Sequence, residues 1–161
     1  MRRWLAIVAA VVVAVPGRAD EPVEKTTGLY ERALLAAAEA QAKAYGHLRG
    51  RDYYDLTVVR DSLTESLPSK VGPFRVSLVG SLGLRERFSK QGSVPVLELS
   101  AAQLRGEALV VRVTNYQFTL RRRLLRHPVE EHGLEGGAEV EFQYDCSQQR
   151  FVVSKVRLWG I

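Results

Sequence analysis

The stretch EVEFQYDCSQQRFVVSKVRLWGI, residues 139–161, decides the fold, because its pairing register follows from the order of its residues. We predict an antiparallel hairpin with a loop at residues 147–149, since this loop separates apolar from charged positions. The apolar face then pairs Tyr144 with Val152, Phe142 with Ser154, Val140 with Val156 and Ala138 with Leu158. The other face pairs Glu141 with Lys155 and Glu139 with Arg157. Each cross-strand pair of opposite charges is worth about 0.2–1 kcal/mol. A loop one residue shorter would set Phe142 against Lys155, so both criteria favour the longer loop.

Cys146 is the only cysteine of the chain, and in this register it faces Arg150 at the loop end of the apolar face. A single cysteine cannot form a disulfide within its own chain. We expect a buried, inert thiol, because free cysteine often packs as a small hydrophobic residue. A disulfide with another chain and a thiol made reactive by Arg150 are the two alternatives.

Residues 94–99 and 107–122 carry the β patterns that precede the hairpin. In the longer segment the apolar residues change from odd to even positions: Leu109, Val111, Val113, then Tyr116, Phe118, Leu120. An extra residue near Thr114 and Asn115, which is a β-bulge, would bring both sets to one face and bend the sheet. A straight strand buried on both faces is the alternative.

Two helices are predicted before these strands. The first, over residues 28–47, has a stripe of small residues at helical spacing that allows close packing: Leu29, Ala33, Ala36, Ala40 and Ala44. The second, over residues 52–67, places four apolar residues on one face: Leu56, Val59, Leu63 and Leu67. Asp52 would cap this second helix and Pro68 would end it. A short strand over residues 74–79 and a helical turn or two over residues 81–92 follow.

Helices that precede a set of antiparallel strands are typical of an α+β domain. We therefore predict that N-terminal helices pack on a curved four- to five-stranded antiparallel sheet, and that residues 20–161 form a single domain. This order of elements resembles the cone-shaped NTF2-like fold, or more loosely the cystatin-like fold. The resemblance concerns the architecture alone, and it assigns no function.

Residues 1–19 have the pattern of a signal peptide. Arg2 and Arg3 precede an apolar run over residues 4–15, and small residues at Gly17 and Ala19 fit cleavage after Ala19. The run is too short for a membrane anchor, since a spanning helix needs about 20 apolar residues. We expect a bacterial protein that is exported, to the periplasm or outside the cell, with no transmembrane span after cleavage.

The charge balance of the exported chain argues against a nucleic-acid partner. The full chain has 23 lysines and arginines against 18 acids. Three of the arginines lie within residues 1–19, so cleavage leaves 20 bases against 18 acids, a net charge of +2. Nucleic-acid binding needs a dense basic face, and this balance does not provide one. The sequence leaves the oligomeric state open.

The sequence carries no strong catalytic, metal or cofactor motif. We therefore assign no catalytic residue, no metal ligand and no cofactor. The weak alternative is a metal site in a connecting segment, made of His127, His132 and Glu130 or Glu131.

Two candidate binding surfaces remain. Aromatic residues on the concave side of the sheet would line a pocket for a small apolar ligand: Tyr116, Phe118, Phe142 and Tyr144. The basic run RRRLLRH, residues 121–127, fits an anionic partner through Arg121, Arg122, Arg123 and Arg126. The structural alternatives are core packing for the aromatic residues and a solvated strand end for the arginines.

These observations predict an exported, non-catalytic module that binds a small apolar ligand or a protein or envelope partner. The first alternative is a small pocket enzyme that uses general acid–base chemistry. Glu98 is its candidate carboxylate, although the alternation with Leu97 and Leu99 places it on the solvent side. The second alternative is an envelope assembly factor that uses the arginine patch or an exposed sheet edge.

Overall fold

The computed structural model describes residues 27–49, 54–121 and 129–160. Two helices are present, α1 (Thr27–Arg49) and α2 (Ser81–Gln91). The strands are β1 (Asp55–Val59), β2 (Lys70–Val71), β3 (Phe74–Val79), β4 (Ser93–Leu99), β5 (Gln103–Arg105), β6 (Ala108–Arg121), β7 (Val129–Asp145) and β8 (Arg150–Trp159). The predicted signal peptide lies outside the described residues. Within them, no helix is long and apolar enough to cross a membrane.

All eight strands join one open sheet in the order β2-β3-β1-β4-β6-β7-β8, and β5 pairs with β6 beside β4. The predicted α+β class is confirmed. The sheet is larger than the four to five strands predicted, and it is mixed, because β1 pairs in parallel with both β3 and β4. The turn and β2 connect β1 to β3, and α2 then carries the chain from β3 past β1 to β4, so that these three strands run in the same direction.

α1 covers one face of the sheet, and the helix predicted over residues 28–47 is confirmed. The predicted stripe is only partly right, since three of its members are half-buried: Ala36, Ala40 and Ala44. Ala33, Leu34 and Ala37 are at most 1% exposed, and they share a core with Val111 and Phe142 on the strands. Alanines leave little side chain between the helix and the sheet, so the two elements pack closely.

α2 packs on the opposite face of the sheet. Leu84 of α2 forms a second core with Val79, Val94 and Val96. On β1 and β4, consecutive side chains alternate between the core under α1 and the core under α2. This alternation is expected for strands that are buried on both faces of a sheet. The predicted short helix and the strands at residues 74–79 and 94–99 are confirmed.

The predicted second helix over residues 52–67 is wrong. This segment forms β1 and then a turn, and Val58 is fully buried at the centre of the sheet. Two physical causes overrode the helical spacing of the apolar residues. The β-branched run Thr57–Val58–Val59 favours a strand, and Asp61 and Thr64 hydrogen-bond to nearby backbone in place of helical bonds.

Thr64 is the buried polar anchor of this turn. Its Oγ1 accepts a hydrogen bond from the amide of Asp61 at 2.9 Å and donates one to the carbonyl oxygen of Val59 at 2.7 Å. The side chain is fully buried. Removing the hydroxyl would leave both backbone groups without this partner in a place that water does not reach.

We expect Thr64→Val to lower the free energy of unfolding by about 1–3 kcal/mol, because the shape is kept and the hydrogen bonds are lost. Urea unfolding followed by circular dichroism measures this change. Thr64→Ser, which keeps the hydroxyl, is the matched control and should cost less. A Thr64→Val protein as stable as the wild type would contradict the anchoring role of this hydroxyl.

The irregularity predicted near Thr114 and Asn115 is present, but the extra residue lies on the neighbouring strand. Asn115 pairs with Gly136 and Tyr116 pairs with Leu134, so Glu135 of β7 is the unpaired residue. The register between β4 and β6 is unbroken. The odd and even apolar residues of β6 therefore stay on opposite faces, and the prediction that a bulge unites them is wrong. The glycines that follow the bulge on β7 permit its sharp bend, since Gly136 has φ 128°.

The closing hairpin is confirmed, and its predicted register holds as far as Glu141. The predicted pairs Ala138–Leu158, Glu139–Arg157, Val140–Val156 and Glu141–Lys155 are all observed. Beyond Glu141 the register shifts, because Ser154 is an extra residue on β8, and Phe142 and Tyr144 pair with Val153 and Phe151 instead. The core side is as predicted, since Val140 and Phe142 are fully buried.

The shifted register follows from the turn chemistry. The carboxylate of Asp145 accepts hydrogen bonds from the amide of Ser147 at 2.8 Å, from its hydroxyl at 2.6 Å and from the amide of Gln148 at 3.2 Å. These bonds, led by that of the Ser147 side chain, hold the pKa of Asp145 below its usual value. They favour a four-residue turn closed by Asp145 and Arg150 over the predicted three-residue loop.

Candidate functional site

The four aromatic residues predicted to bind a small ligand do not share one pocket. Phe142 is fully buried in the core under α1, whereas Tyr144 is 53% exposed and contacts Phe151 edge-on at 5.4 Å. Tyr116 lies on the opposite face, since it pairs with Val96 of the second core. Phe118 pairs with Val94 through its backbone, and its side chain lies outside the described residues.

The space between α1 and the sheet is small beside the polar side chains of Gln41 and Asn115. Gln41 on α1 accepts a hydrogen bond from the side-chain amide of Asn115 at 3.2 Å. The adjoining cavity measures about 60 Å³. Ligand pockets usually measure about 300–1,000 Å³, so this cavity suits a water molecule rather than an apolar ligand.

Tyr116 and Glu98 are the side chains most relevant to the alternative function, a small pocket enzyme that uses acid–base chemistry. Burial, and then the Glu98 carboxylate, raise the pKa of Tyr116 above its ordinary value. Glu98 itself is exposed, as its alternation with Leu97 and Leu99 predicts. A carboxylate in solvent has no enclosed site in which to exchange a proton with a bound substrate.

The arginine patch falls mostly outside the described residues. Arg121 is the last residue of β6, and Arg122, Arg123 and Arg126 lie in the segment that the structure does not describe. The role of these arginines stays a prediction. The same holds for the histidines and acids of residues 127–132. Among the residues that are described, no group of three or more His, Cys, Asp or Glu side chains could hold a metal.

Cys146 is exposed, and the prediction of a buried thiol is wrong. The shifted register at the end of the hairpin places it in the turn, beyond Asp145, instead of on the core face. The turn preferred by Asp145 thus decides the environment of the cysteine.

An ordered row of charges crosses the sheet on the face away from α1. Arg112, Glu139 and Arg157 are directly opposite one another on β6, β7 and β8. Oε1 of Glu139 forms ion pairs with Nε of Arg112 at 2.7 Å and with Nη1 of Arg105 at 3.2 Å. Arg157 instead forms a diagonal ion pair, from its Nη2 to Oε1 of Glu141 at 2.7 Å. This part of the face is therefore polar and held by ion pairs.

The hydrogen bond from Arg112, and next its charge and the bond from Arg105, keep the pKa of Glu139 below its ordinary value of 4.5. A lowered folded-state pKa stabilises the fold above the unfolded pKa, and this contribution is lost as the pH falls through the folded-state value. We therefore expect the stability difference between the wild type and Glu139→Gln to be constant near neutral pH and to shrink in acid. Urea unfolding from about pH 7 to about pH 3 measures it. A difference that does not change with pH would contradict this ion pair.

Trp159 lies over Gly137 in the next row of the same face. A Cβ atom added to Gly137 would lie 2.9 Å from Cζ2 of the indole, so glycine leaves the room that the ring occupies. The ring borders a groove of about 380 Å³, lined by Arg112, Glu139, Arg157, Leu158 and Trp159. The groove offers an aromatic surface beside arginine side chains.

The two edges of the sheet differ in length. β2 has 2 residues and β8 has 10. In the part of the chain that the structure describes, no strand pairs with the outer side of β8. The sequence of β8, RFVVSKVRLW, has three basic residues and no acidic one. Among the described strands, β8 is therefore a long and basic edge whose outer side has no pairing partner.

The direction of the backbone groups at this edge follows from one hydrogen bond. The amide of Ser100 donates to the carbonyl oxygen of Arg112 at 2.9 Å, so Arg112 directs its backbone groups away from β7. Alternation then directs those of Val113 toward β7 and its partner Ala138. On β7 the flanking residues Gly137 and Glu139 must therefore direct their backbone groups toward β8.

The residues opposite Gly137, Glu139 and Glu141 on β8 direct their own backbone groups back toward β7. These residues are Trp159, Arg157 and Lys155. The position of the Trp159 carbonyl oxygen, which an added Cβ on Gly136 would overlap, agrees with this direction. The amide and carbonyl groups of Val156 and Leu158 therefore point outward from the sheet, where a further strand would pair.

Comparisons with known proteins add no assignment. No family model matches the chain. The comparisons with curated proteins and with solved structures found no match either.

Sequence reasoning considered a sheet edge only as an alternative, and did not locate it. Its signal was present, since the last apolar strand carries three bases and no acid. The missing information was the strand order, which depends on where the other strands pair.

Proposed function

We propose that the protein is an exported, non-catalytic binding module that takes up an extended segment of a partner protein along the outer edge of β8. The observation that supports this most is the outer side of this 10-residue strand, with which no described strand pairs. An extended peptide that adds to a sheet edge gains main-chain hydrogen bonds, and its alternate side chains give specificity.

The bulge at Ser154 limits the part of β8 that can be extended. A bulge interrupts regular pairing and turns the strand, so a partner is expected to pair with residues 155–159. There Val156 and Leu158 offer outward backbone groups, because the alternate residues of β8 direct theirs toward β7. The charge of β8 favours an acidic segment. A second copy of β8 would place bases against bases, which opposes pairing of the protein with itself.

The test uses an acidic, threonine-rich, fluorescently labelled peptide and measures its anisotropy on adding the full chain. Val156→Pro removes one outward amide and should abolish binding, because proline cannot donate that hydrogen bond. Val156→Ala is the matched control, since it loses similar packing and keeps the amide. Equal binding by both variants, with both folded by circular dichroism, would contradict strand addition at β8.

Export itself is part of the proposal and rests on the pattern of residues 1–19. Expression in a bacterium, followed by N-terminal sequencing, should find a chain that begins at Asp20. An uncleaved chain in the cytoplasm would contradict it.

The finer architecture is also proposed. The long strands β6, β7 and β8 under α1, with bulges on β7 and β8, support an NTF2-like or cystatin-like arrangement of that part of the sheet. The alternatives carry less support in the described residues. The four aromatic residues predicted to bind a small apolar ligand do not line a shared pocket. The carboxylate proposed for the pocket enzyme, Glu98, is exposed.

A further inference from the structure

The side chains beside the open edge of β8 specify the partner further than its acidity. Resting on the proposed function, we infer that the added strand carries an apolar residue and two acidic residues at alternate positions. The apolar residue lies beside Trp159, and the acids lie beside Arg157 and Lys155. The partner motif is thus apolar–x–acidic–x–acidic, read from its N-terminus in an antiparallel strand.

The spacing of the motif follows from the strand geometry. Lys155, Arg157 and Trp159 lie on the same face of β8, the one opposite α1, because Val156 and Leu158 between them pack toward the core under α1. A strand that pairs with β8 presents every second side chain to this face. In an antiparallel strand the residues opposite these three form the non-hydrogen-bonded pairs, whose Cα atoms are only about 4.5 Å apart.

Two of the three positions favour an acidic side chain. Lys155 is exposed and makes no ion pair with any described residue. Arg157 is 55% exposed although its Nη2 bonds to Glu141 at 2.7 Å. A guanidinium has five N–H donors, so Arg157 can hold Glu141 and a partner carboxylate together.

The third position favours an apolar side chain. The indole of Trp159 occupies the gap above Gly137 and borders the groove of about 380 Å³. Covering an aromatic ring with an apolar side chain removes both from water, at about 25 cal/mol for each Å² of apolar surface buried. An acidic residue there would lie beside an apolar ring, in the same groove that the carboxylate of Glu139 lines, and the two negative charges would repel each other.

A lysine on an edge strand has a second known effect, since it discourages the pairing of sheets. The two roles of Lys155 predict opposite results. A purely protective lysine would let no peptide bind, whereas a recognition lysine selects glutamate over lysine in the partner.

The experiment measures the fluorescence of Trp159 in the full chain carrying Trp4→Phe, since these are the two tryptophans of the protein. The probe is a peptide of about seven residues, the usual length of a strand, made of threonine with phenylalanine second and glutamate fourth and sixth. The first control peptide has the same composition with these three residues consecutive. The second has lysine in place of glutamate.

We expect the alternating glutamate peptide to bind about tenfold more tightly than the consecutive one and to shift the Trp159 emission, and the lysine peptide not to bind. Lys155→Glu should weaken the glutamate peptide about fivefold. Lys70→Glu is its matched control, because Lys70 lies on the opposite edge strand β2 and its change of charge is the same. It should leave the affinity unchanged.

The outcomes separate this inference from the proposed function. Equal affinity for the alternating and consecutive peptides, with loss of both in Val156→Pro, would overturn the motif and leave strand addition standing. Equal effects of Lys155→Glu and Lys70→Glu would overturn it as well, since the net charge alone would then explain binding. Failure of every peptide to bind would overturn both proposals.

Discussion

Replacing Phe142 with alanine is expected to lower the free energy of unfolding by about 3–5 kcal/mol, the usual cost of removing a large aromatic side chain from a packed core. Phe142 is fully buried, in the same core cluster as Leu34 of α1 and Val111 of β6. The surrounding strands and the helix cannot close over the volume of a phenyl ring, so a cavity would remain. Chemical unfolding of the two proteins measures the loss.

Tyr144→Ala is the matched control for this change. Tyr144 lies two residues further along β7 on the same face, but it is 53% exposed, and its main described contact is the edge-on pair with Phe151. Such a pair is worth about 0.5–1.5 kcal/mol, so the control should cost no more than that. If the two variants lost equal stability, Phe142 would border accessible space, and the predicted apolar ligand site would regain support.

Replacing Gly137 with alanine is the second large effect expected, at about 2–4 kcal/mol, in the upper part of the range for single substitutions. A Cβ atom at this position would overlap the carbonyl oxygen of Val113 and lie 2.9 Å from the indole of Trp159. The backbone of β6 cannot move without breaking its pairing with β4 and β7, so any movement that relieves the overlap also costs stability. Urea unfolding measures the loss of stability, and Trp159 emission measures the displacement of the ring.

Gly133→Ala tests whether this cost belongs to the site or to glycine replacement in general. Gly133 lies on the same strand, is exposed, and offers an added Cβ its nearest contact at 3.7 Å, to the carbonyl oxygen of Gln117. Such a replacement changes stability by about 1 kcal/mol at most, and it can be stabilising. If Gly137→Ala lost no more stability than Gly133→Ala, the position of the Trp159 ring would not require glycine at residue 137.

Gly137 also connects the stability of the sheet to the proposed binding surface. The ring over Gly137 borders the groove beside β8. Displacing it should weaken the alternating peptide even in molecules that remain folded, because the apolar contact of the motif is lost.

Local patterns were sufficient for the helix α1, for β3 and β4, and for the part of the closing hairpin that includes residues 138–141 and 155–158. In each case the element formed where its apolar residues predicted it, and in the hairpin the charges agreed with the apolar pattern. Agreement between independent local signals is what makes such a prediction dependable. The segment of residues 52–67 had the spacing of a helix but the β-branched residues of a strand, and there the signals disagreed.

The candidate site was only partly predictable. The outward direction of Glu139 and Glu141 and the bases that face them follow from the hairpin register. Which strand carries the bulge residue, which face Tyr116 occupies and which edge stays unpaired do not. These depend on partners far away in the chain, since a strand pattern is the same whether its neighbour is present or absent.

The sequence by itself determined that residues 138–141 pair with residues 155–158 in a hairpin with an apolar inner face, because side chains alternate with a period of two and this register separates apolar from charged positions. Tertiary structure alone decided that β8 is the last strand of the sheet formed by the described residues, that residues 55–59 become a central strand, and that Cys146 is exposed to solvent. Those outcomes depend on which backbone hydrogen bonds are satisfied by distant strands and by turn side chains, and such long-range competition leaves no mark in any single segment.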